Sequence, residues 1–220
     1  DDNMIIVDII NFRETFSLLP IDACIMAGGK GKRLMPLTQH IPKPLLKVGN
    51  KPIVQYNLER LKYFGLKHIN ISINYLGDKL INYFKNGDDL DLEIKYTKEN
   101  KPLGTMGAIK NVSNLSKDYI LIMNSDILTN LDFEAFFIDF IENDADMSVV
   151  STNYQVKIPY GIFDLRNNKI KGLIEKPTYN YHSNGGIYLI KKSVLKEINK
   201  KNYFDSTDLI SKLIKKNYKV

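Results

Sequence analysis

Tryptophan is absent from this chain and cysteine occurs once, at Cys24, among 220 residues. One thiol cannot close an internal disulfide, so burial alone has to hold the fold, and this usage fits a reducing, cytoplasmic compartment. Cys24 lies inside the first apolar run and reads as a small buried residue rather than a nucleophile. No apolar stretch approaches the roughly 20 residues that cross a bilayer, so no membrane partner is expected. The opening DDNMIIVDIINFRETFSLLP has neither the basic start nor the cleavage site of a signal peptide. It begins on Asp1 without an initiator methionine, which points to a piece of a longer polypeptide. Charge of one sign is also in short supply. The net +6 comes from 31 basic against 25 acidic residues. The basic side chains are scattered, with no stripe and no interleaved stacking aromatics, so a nucleic-acid partner is not indicated. An anionic small substrate suits the excess equally well.

What is present is an ordinary globular composition, 44% hydrophobic and 25% charged, enough for a sizeable core. Two periods alternate along it. DACIMA (22–27), HINISIN (68–74), LEIKY (92–96), YILIM (119–123) and DMSVVS (146–151) are short and apolar or β-branched, as buried parallel strands are. Between them the spacing predicts helices over 52–65, 77–87, 105–112 and 132–143. In the first, Pro52 suits the first helical position, Val54, Leu58, Leu61 and Phe64 share a face, and Gly65 stops the run. Four repeats of strand and helix predict an α/β fold: a doubly wound, mostly parallel sheet with helices on both faces. After Tyr160 the style changes. YGIFDL and KIKGLI flank an RNN turn and read as a hairpin, GGIYLI (185–190) as a further strand, and FDSTDLISKLIKK (204–216) as a closing helix whose apolar face is Leu209, Ile210, Leu213 and Ile214. The expected organisation is an N-terminal segment, 1–20, followed by one compact domain over 21–220.

The first predicted strand runs straight into GGKGKR (28–33). In a doubly wound sheet, ligands bind at the carboxyl ends of strands. Glycines let successive backbone N–H groups turn toward one point and let a phosphate approach without meeting a Cβ. Lys30, Lys32 and Arg33 add charge. Taken alone, the stretch is equally a glycine turn with solvated lysines. It is neither of two common phosphate loops: Leu34 stands where a dinucleotide fingerprint needs its third glycine, and no GK[ST] ends it.

The longer run MAGGKGKRLMPLTQHIPKPLLKVGNKPIVQY (26–56) resembles the signature of the sugar nucleotidylyltransferases, the pyrophosphorylases that make nucleotide sugars. The resemblance continues through KENKPLGTMGA (98–108), LIMNSDIL (121–128), LIEKP (173–177) and SNGGIYLI (183–190), and is nearest in pattern to the mannose-1-phosphate guanylyltransferases. It implies the nucleotide-diphospho-sugar transferase fold with a small antiparallel sugar-binding part. It also implies a reaction in which a sugar-1-phosphate oxygen attacks the α-phosphorus of a nucleoside triphosphate and pyrophosphate leaves. Both reactants are anions, so the task is alignment and charge neutralisation, without a covalent nucleophile.

Carried onto this sequence, the resemblance assigns Gly28, Gly29 and Gly31 to the triphosphate, Arg33 to the departing pyrophosphate and Lys43 to the phosphates at the reacting centre. Asp126 matches an aspartate that binds Mg²⁺, although the usual NGD reads NSD here. Gly104, with Leu103 and Thr105, passes beside the nucleobase and ribose. Glu99, five residues before Gly104, matches the base-reading position. An ionised carboxylate only accepts hydrogen bonds, which favours guanine with its adjacent N1–H and N2–H₂ donors, hence GTP. Glu175 and Lys176 match the EKP residues that hold sugar hydroxyls and the sugar phosphate, and Asn184 and Gly185 match an NxG sugar-contact turn.

Other readings stay open at this point. Such domains also serve as non-catalytic nucleotide-sugar-binding regulatory subunits, although losses at the loop arginine, the loop lysine or the metal aspartate are absent here. A homo-oligomer is open. Residues before 21 are unusual for these enzymes and are read either as the tail of a regulatory CBS-domain pair or as a short surface helix. The family's second metal aspartate lies in a WxDxGT-like motif beyond the last helix, and this chain stops at KKNYKV. The expectation is therefore a polypeptide longer at its C-terminus, with poor catalysis by residues 1–220 alone.

Overall fold

A computed structural model describes residues 17–199 and 203–220, so most of the expected N-terminal segment lies outside the described residues. Among the described residues the strands and α-helices of the larger unit run, in chain order, β1 (Ile21–Ala27), β2 (Lys47–Val48), β3 (Lys51–Pro52), α1 (Ile53–Tyr63), β4 (His68–Ile73), α2 (Gly77–Phe84), β5 (Glu93–Lys98), α3 (Gly104–Ile109), β6 (Tyr119–Asn124) and α4 (Phe133–Glu142). Then come β7 (Met147–Lys157), β8 (Ile162–Arg166), β9 (Lys169–Ile174), β10 (Thr178–Lys191) and α5 (Ser206–Lys215). The chain divides into two units, one holding the residues up to Ser148 and again from Ile187 to Val220, the other Val149–Gly186.

The larger unit is built on a six-stranded sheet in the order β5-β4-β1-β6-β10-β7. β1 pairs parallel with β4 and β6, β4 pairs parallel with β5, and β10 joins β6 antiparallel through Ile187–Lys191. Ile69 to Ile73 and Ile120 to Met123 are buried in succession rather than alternately. A strand buried at every residue needs cover on both faces, which is the doubly wound arrangement. Each predicted helix forms. In α1, Val54, Leu58 and Leu61 are fully buried and Phe64 packs edge-on against Phe133 at 5.6 Å. Pro52 caps that helix instead of opening it, one residue earlier than its spacing suggests. Gly65 ends the segment with φ +76°, where a Cβ would lie 2.4 Å from the Ser17 carbonyl. On α5, Leu209 and Leu213 are buried but Ile214 is exposed, so the apolar face is narrower than the sequence pattern.

The end of the chain is fastened back onto the sheet. The Lys219 carbonyl accepts the amides of Asp146 (2.8 Å) and Met147 (3.2 Å) at the start of β7. Glu197 is buried, and receives Lys216 Nζ at 2.6 Å and Tyr218 Oη at 3.0 Å, with Lys212 Nζ 3.3 Å away. The hydrogen bond from Lys216, with those from Tyr218 and Lys212, holds the Glu197 carboxyl down to about 2 against the opposing effect of desolvation. Burial pushes the Cys24 thiol above its ordinary range, as expected of a core residue.

In the smaller unit, β8 and β9 form the predicted hairpin, with Phe163 opposite Leu173 and Leu165 opposite Ile170. Asn167 and Asn168 make its turn with φ of 50° and 58°. The strand expected over 185–190 begins earlier: Thr178–Asn184 is the first half of the 14-residue strand β10. The residues of that first half are exposed throughout, so no apolar alternation marks them as strand.

Candidate functional site

Three parallel strands of the larger unit, β1, β5 and β6, run in the same direction, and predicted site residues follow their carboxyl ends: Gly28 after β1, Glu99 after β5 and Asp126 after β6. The three loop glycines there are not equivalent. Gly31 has φ +60°, and a Cβ would lie 2.9 Å from Thr38 Cγ2 and 3.2 Å from Lys43 Cβ. Its carbonyl accepts the buried Thr38 hydroxyl at 2.9 Å, which folds the loop onto the 3-10 turn at Leu37–Gln39. A Cβ on Gly28 would come 2.7 Å from Glu99 Oε1 and 3.2 Å from Asn74 Cβ. A Cβ on Gly29 would meet no atom within 4 Å. Two glycines are thus demanded by the protein's own packing, whereas Gly29 keeps an open space bare.

The Arg33 side chain, in the 3-10 turn Lys32–Leu34, is exposed and has no carboxylate or hydrogen-bond partner among the described residues, nor do the side chains of Lys30 and Lys32. A guanidinium left unpaired beside a glycine loop is available to an anion. Lys43 opens the 3-10 turn that follows Pro42, and its ammonium is paired with the Asp126 carboxylate. Asp126 follows β6, where the Ser125 amide donates to the Met26 carbonyl at 3.1 Å. The carbonyl of the same residue, Ser125, accepts Asn57 Nδ2 from α1 at 3.4 Å. So the two residues assigned to the reacting centre, 83 positions apart in sequence, meet directly.

Glu99 is buried just past β5. Its Oε1 accepts the Ser72 hydroxyl at 2.8 Å and its Oε2 the Leu103 amide at 3.0 Å, while Asn74 Nδ2 donates to the Glu99 carbonyl at 2.8 Å. The carboxylate therefore ties β4 to the 103–105 turn, which is the N-cap and first two residues of α3, beneath Gly28. Each of its oxygens has a further lone pair for an outside donor. Gly104 has φ +76°, and its Cβ would come 2.7 Å from the Phe204 carbonyl and 2.9 Å from Asp205 Oδ1. Packing within the protein is reason enough for that glycine too.

The sugar-side residues belong to the smaller unit. Glu175 and Lys176 follow β9 and are exposed, and Lys176 has φ 45°, a left-handed conformation. A Cβ on Gly161 would lie 3.0 Å from Glu175 Oε2, so glycine leaves that carboxylate its room. Asn184 Oδ1 accepts the Gly186 amide at 2.9 Å, and Gly186 has φ +76°, so the expected NxG turn is a local kink inside β10. Gly185 lies against the strand beside it: a Cβ there would come 2.7 Å from the Val150 carbonyl.

Ser72 and Asn74 carry no signal in the motif reading, and Thr38, inside the 26–56 run, and Asp205, inside the closing-helix segment, have no role assigned there; all four meet assigned residues only through the fold. Asn57 had a visible clue, a polar residue three positions from Val54 and four from Leu61 on the buried face of α1.

The profile of the nucleotidyl transferase family matches residues 22–220. A probable mannose-1-phosphate guanylyltransferase 1 of Oryza sativa subsp. japonica is 31% identical over 185 residues, covering 80% of this chain and 51% of that protein. A mannose-1-phosphate guanyltransferase of Yarrowia lipolytica is 32% identical over 179 residues, covering 78% of this chain and 49% of that protein. The chain thus spans about half the length of the curated relatives it matches. Among solved structures, HddC from Yersinia pseudotuberculosis complexed with GMP-PN superposes with a TM-score of 0.65 at 27% identity, over 84% of this chain and 82% of that one. A Bacillus anthracis structure at 23% identity and TM-score 0.68, over 90% of this chain and 84% of that one, shares the fold.

Proposed function

Because the chain belongs to the nucleotidyl transferase family, we propose that it carries the site where a sugar-1-phosphate is joined to a nucleoside monophosphate taken from GTP. A phosphate oxygen of the sugar-1-phosphate attacks the α-phosphorus. The bond from that phosphorus to the β-phosphate bridge breaks, and pyrophosphate leaves with the electron pair. The observation that carries this reading is the meeting of Lys43 and Asp126 beside a glycine loop whose arginine is unpaired.

In this reading the backbone at Gly29 accepts the triphosphate, and Arg33 holds the β- and γ-phosphates through its fork of donors. Lys43 exchanges Asp126 for phosphate oxygens as the nucleotide enters, which frees the carboxylate. Among the described residues no three His, Cys, Asp or Glu side chains cluster to hold a metal. Asp126 nevertheless suits Mg²⁺ as a single protein ligand, because that ion is commonly held by one or two carboxylates, phosphates and water. Bound there, Mg²⁺ would neutralise charge on the triphosphate. Glu175 and Lys176 take the sugar hydroxyls and the sugar phosphate.

GTP is favoured because Glu99 offers acceptors and no donor toward the base, and relatives named as guanylyltransferases support it. The test is a side-by-side measurement of GTP, UTP, dTTP and CTP as substrates and as ligands. GTP is expected to lead in both, and a clear preference for UTP or CTP refutes the base assignment.

A further inference from the structure

The 103–105 turn is held between two carboxylates. Glu99 takes the Leu103 amide from one side. From the other, Asp205 Oδ1 takes the Thr105 amide at 3.0 Å across 100 residues of sequence. The residue before Asp205 reinforces that second grip. The Phe204 amide donates to the Leu103 carbonyl at 2.8 Å, and the Phe204 carbonyl accepts Met106 (3.1 Å) and Gly107 (2.9 Å). Gly104 sits against the same two residues with no room for a Cβ.

Asp205 is also the N-cap of α5, in a reciprocal capping box with Asp208. Capping alone needs one acceptor, and Ser, Thr or Asn supply it as well as Asp. This carboxylate does more: besides its own helix it serves Thr105 and accepts the exposed Tyr203 hydroxyl at 2.6 Å. That bond, with partial burial, pushes the Tyr203 phenol up to about 12, so Tyr203 is a donor at any physiological pH.

We propose that Asp205 is a positioning residue for the nucleotide base, acting through the backbone of the 103–105 turn. This rests on the reading of that turn as the wall beside the base. The aspartate touches no reacting atom; it fixes where the turn stands relative to Glu99. A small displacement of a positioning element is enough to cost a large factor in binding or rate.

The experiment separates capping from positioning. Asp205→Ser keeps a helix cap but is too short to serve Thr105 as well, and Asp205→Asn keeps the length and an acceptor. Asp208→Ala removes the other half of the capping box and leaves Thr105 bonded. Binding of GTP and of inorganic triphosphate, which has no base, is titrated for each variant and the parent. The expected result is a GTP Kd raised about tenfold in Asp205→Ser. In Asp205→Asn it stays within about threefold of the parent and in Asp208→Ala it is unchanged, with triphosphate affinity the same in all. Equal GTP binding by Asp205→Ser and the parent overturns the inference while leaving the site reading intact. So does a parallel loss of triphosphate in Asp205→Ser or Asp205→Asn, because general loosening then explains the effect. If Asp205→Ser does not fold, Asp205→Asn decides: a GTP loss above tenfold beside a kept cap refutes a role through geometry. A parent that binds triphosphate but not GTP refutes the base-wall reading itself, and the inference with it.

Discussion

The residues assigned to the nucleotide and those assigned to the sugar are built on opposite plans. In the larger unit all but Gly29 and Arg33 are interlocked: Gly31 with Thr38, Gly28 with Glu99, Lys43 with Asp126, Gly104 with Asp205. In the smaller unit Gly185 packs against the Val150 carbonyl, but Glu175 and Lys176, on the bend after β9, and Asn184, in β10, are exposed, and apolar Phe163, Leu165, Ile170 and Leu173 of the hairpin are exposed beside them in sequence. Triphosphates are chemically constant across substrates, so their seat is worth prebuilding; sugars vary, and a strand surface tolerates variation at low cost to the fold. Preorganisation is the main lever in phosphoryl transfer, where no covalent step helps.

The contrast is easiest to break at the charges. Arg33→Ala should lower turnover by about 10²-fold or more with the circular dichroism spectrum unchanged, because it deletes charge stabilisation from a residue that supports nothing else. Lys176→Ala should leave nucleotide binding alone and raise the KM for the sugar-1-phosphate by about tenfold, the scale of one exposed phosphate contact. If the two variants lose the same parameter to the same degree, the division into a nucleotide side and a sugar side is wrong.

The same contrast recurs inside the glycine loop and can be sharpened there. Gly31→Ala forces a Cβ into the left-handed region against Thr38 and Lys43, at a cost of about 1–3 kcal/mol. Gly29→Ala meets nothing within 4 Å, so its stability should stay within about 0.5 kcal/mol of the parent while GTP binding weakens. Denaturant unfolding beside nucleotide titration checks both; a Gly29→Ala variant that binds GTP normally moves the phosphates away from that amide.

The smallest expected effect concerns the buried anchor of α5. The Glu197 carboxyl lies below its ordinary 4.5, at about 2, so the stability it adds is fully present above pH 4.5 and is lost as pH falls toward 2. The gap in Tm between the parent and Glu197→Gln should therefore be constant from pH 7 to about 5 and close below that. A gap that does not change with pH means the carboxylate gains nothing from Lys216 and Tyr218.

The strands and helices of the larger unit were legible because each is a local pattern: an apolar run, a 3.6-residue face, a stop at glycine. The glycine loop was legible for the same reason, its residues being neighbours in sequence. What the pattern could not show is which partner each residue meets. Glu99 was legible as the base-side carboxylate, but not its burial under Gly28 or its bonds to Ser72 and Leu103; Asp205 was legible only as part of the closing-helix segment, yet one of its oxygens serves Thr105. In the smaller unit, seven exposed residues of β10 gave no period at all.

The bond between Thr105 and Asp205 also has a temporal meaning. It closes a loop of 100 residues, and the Phe204 bonds to Leu103, Met106 and Gly107 close loops of similar length. Contacts of such high sequence separation form late, because the loop-closure entropy has to be met before they stabilise anything. A chain growing from its N-terminus can pair β1, β4, β5 and β6 while residue 205 is still unsynthesised. The glycine loop can thus stand before the 103–105 turn is braced, and on the proposed assignments a nascent chain would gain phosphate affinity well ahead of base selectivity.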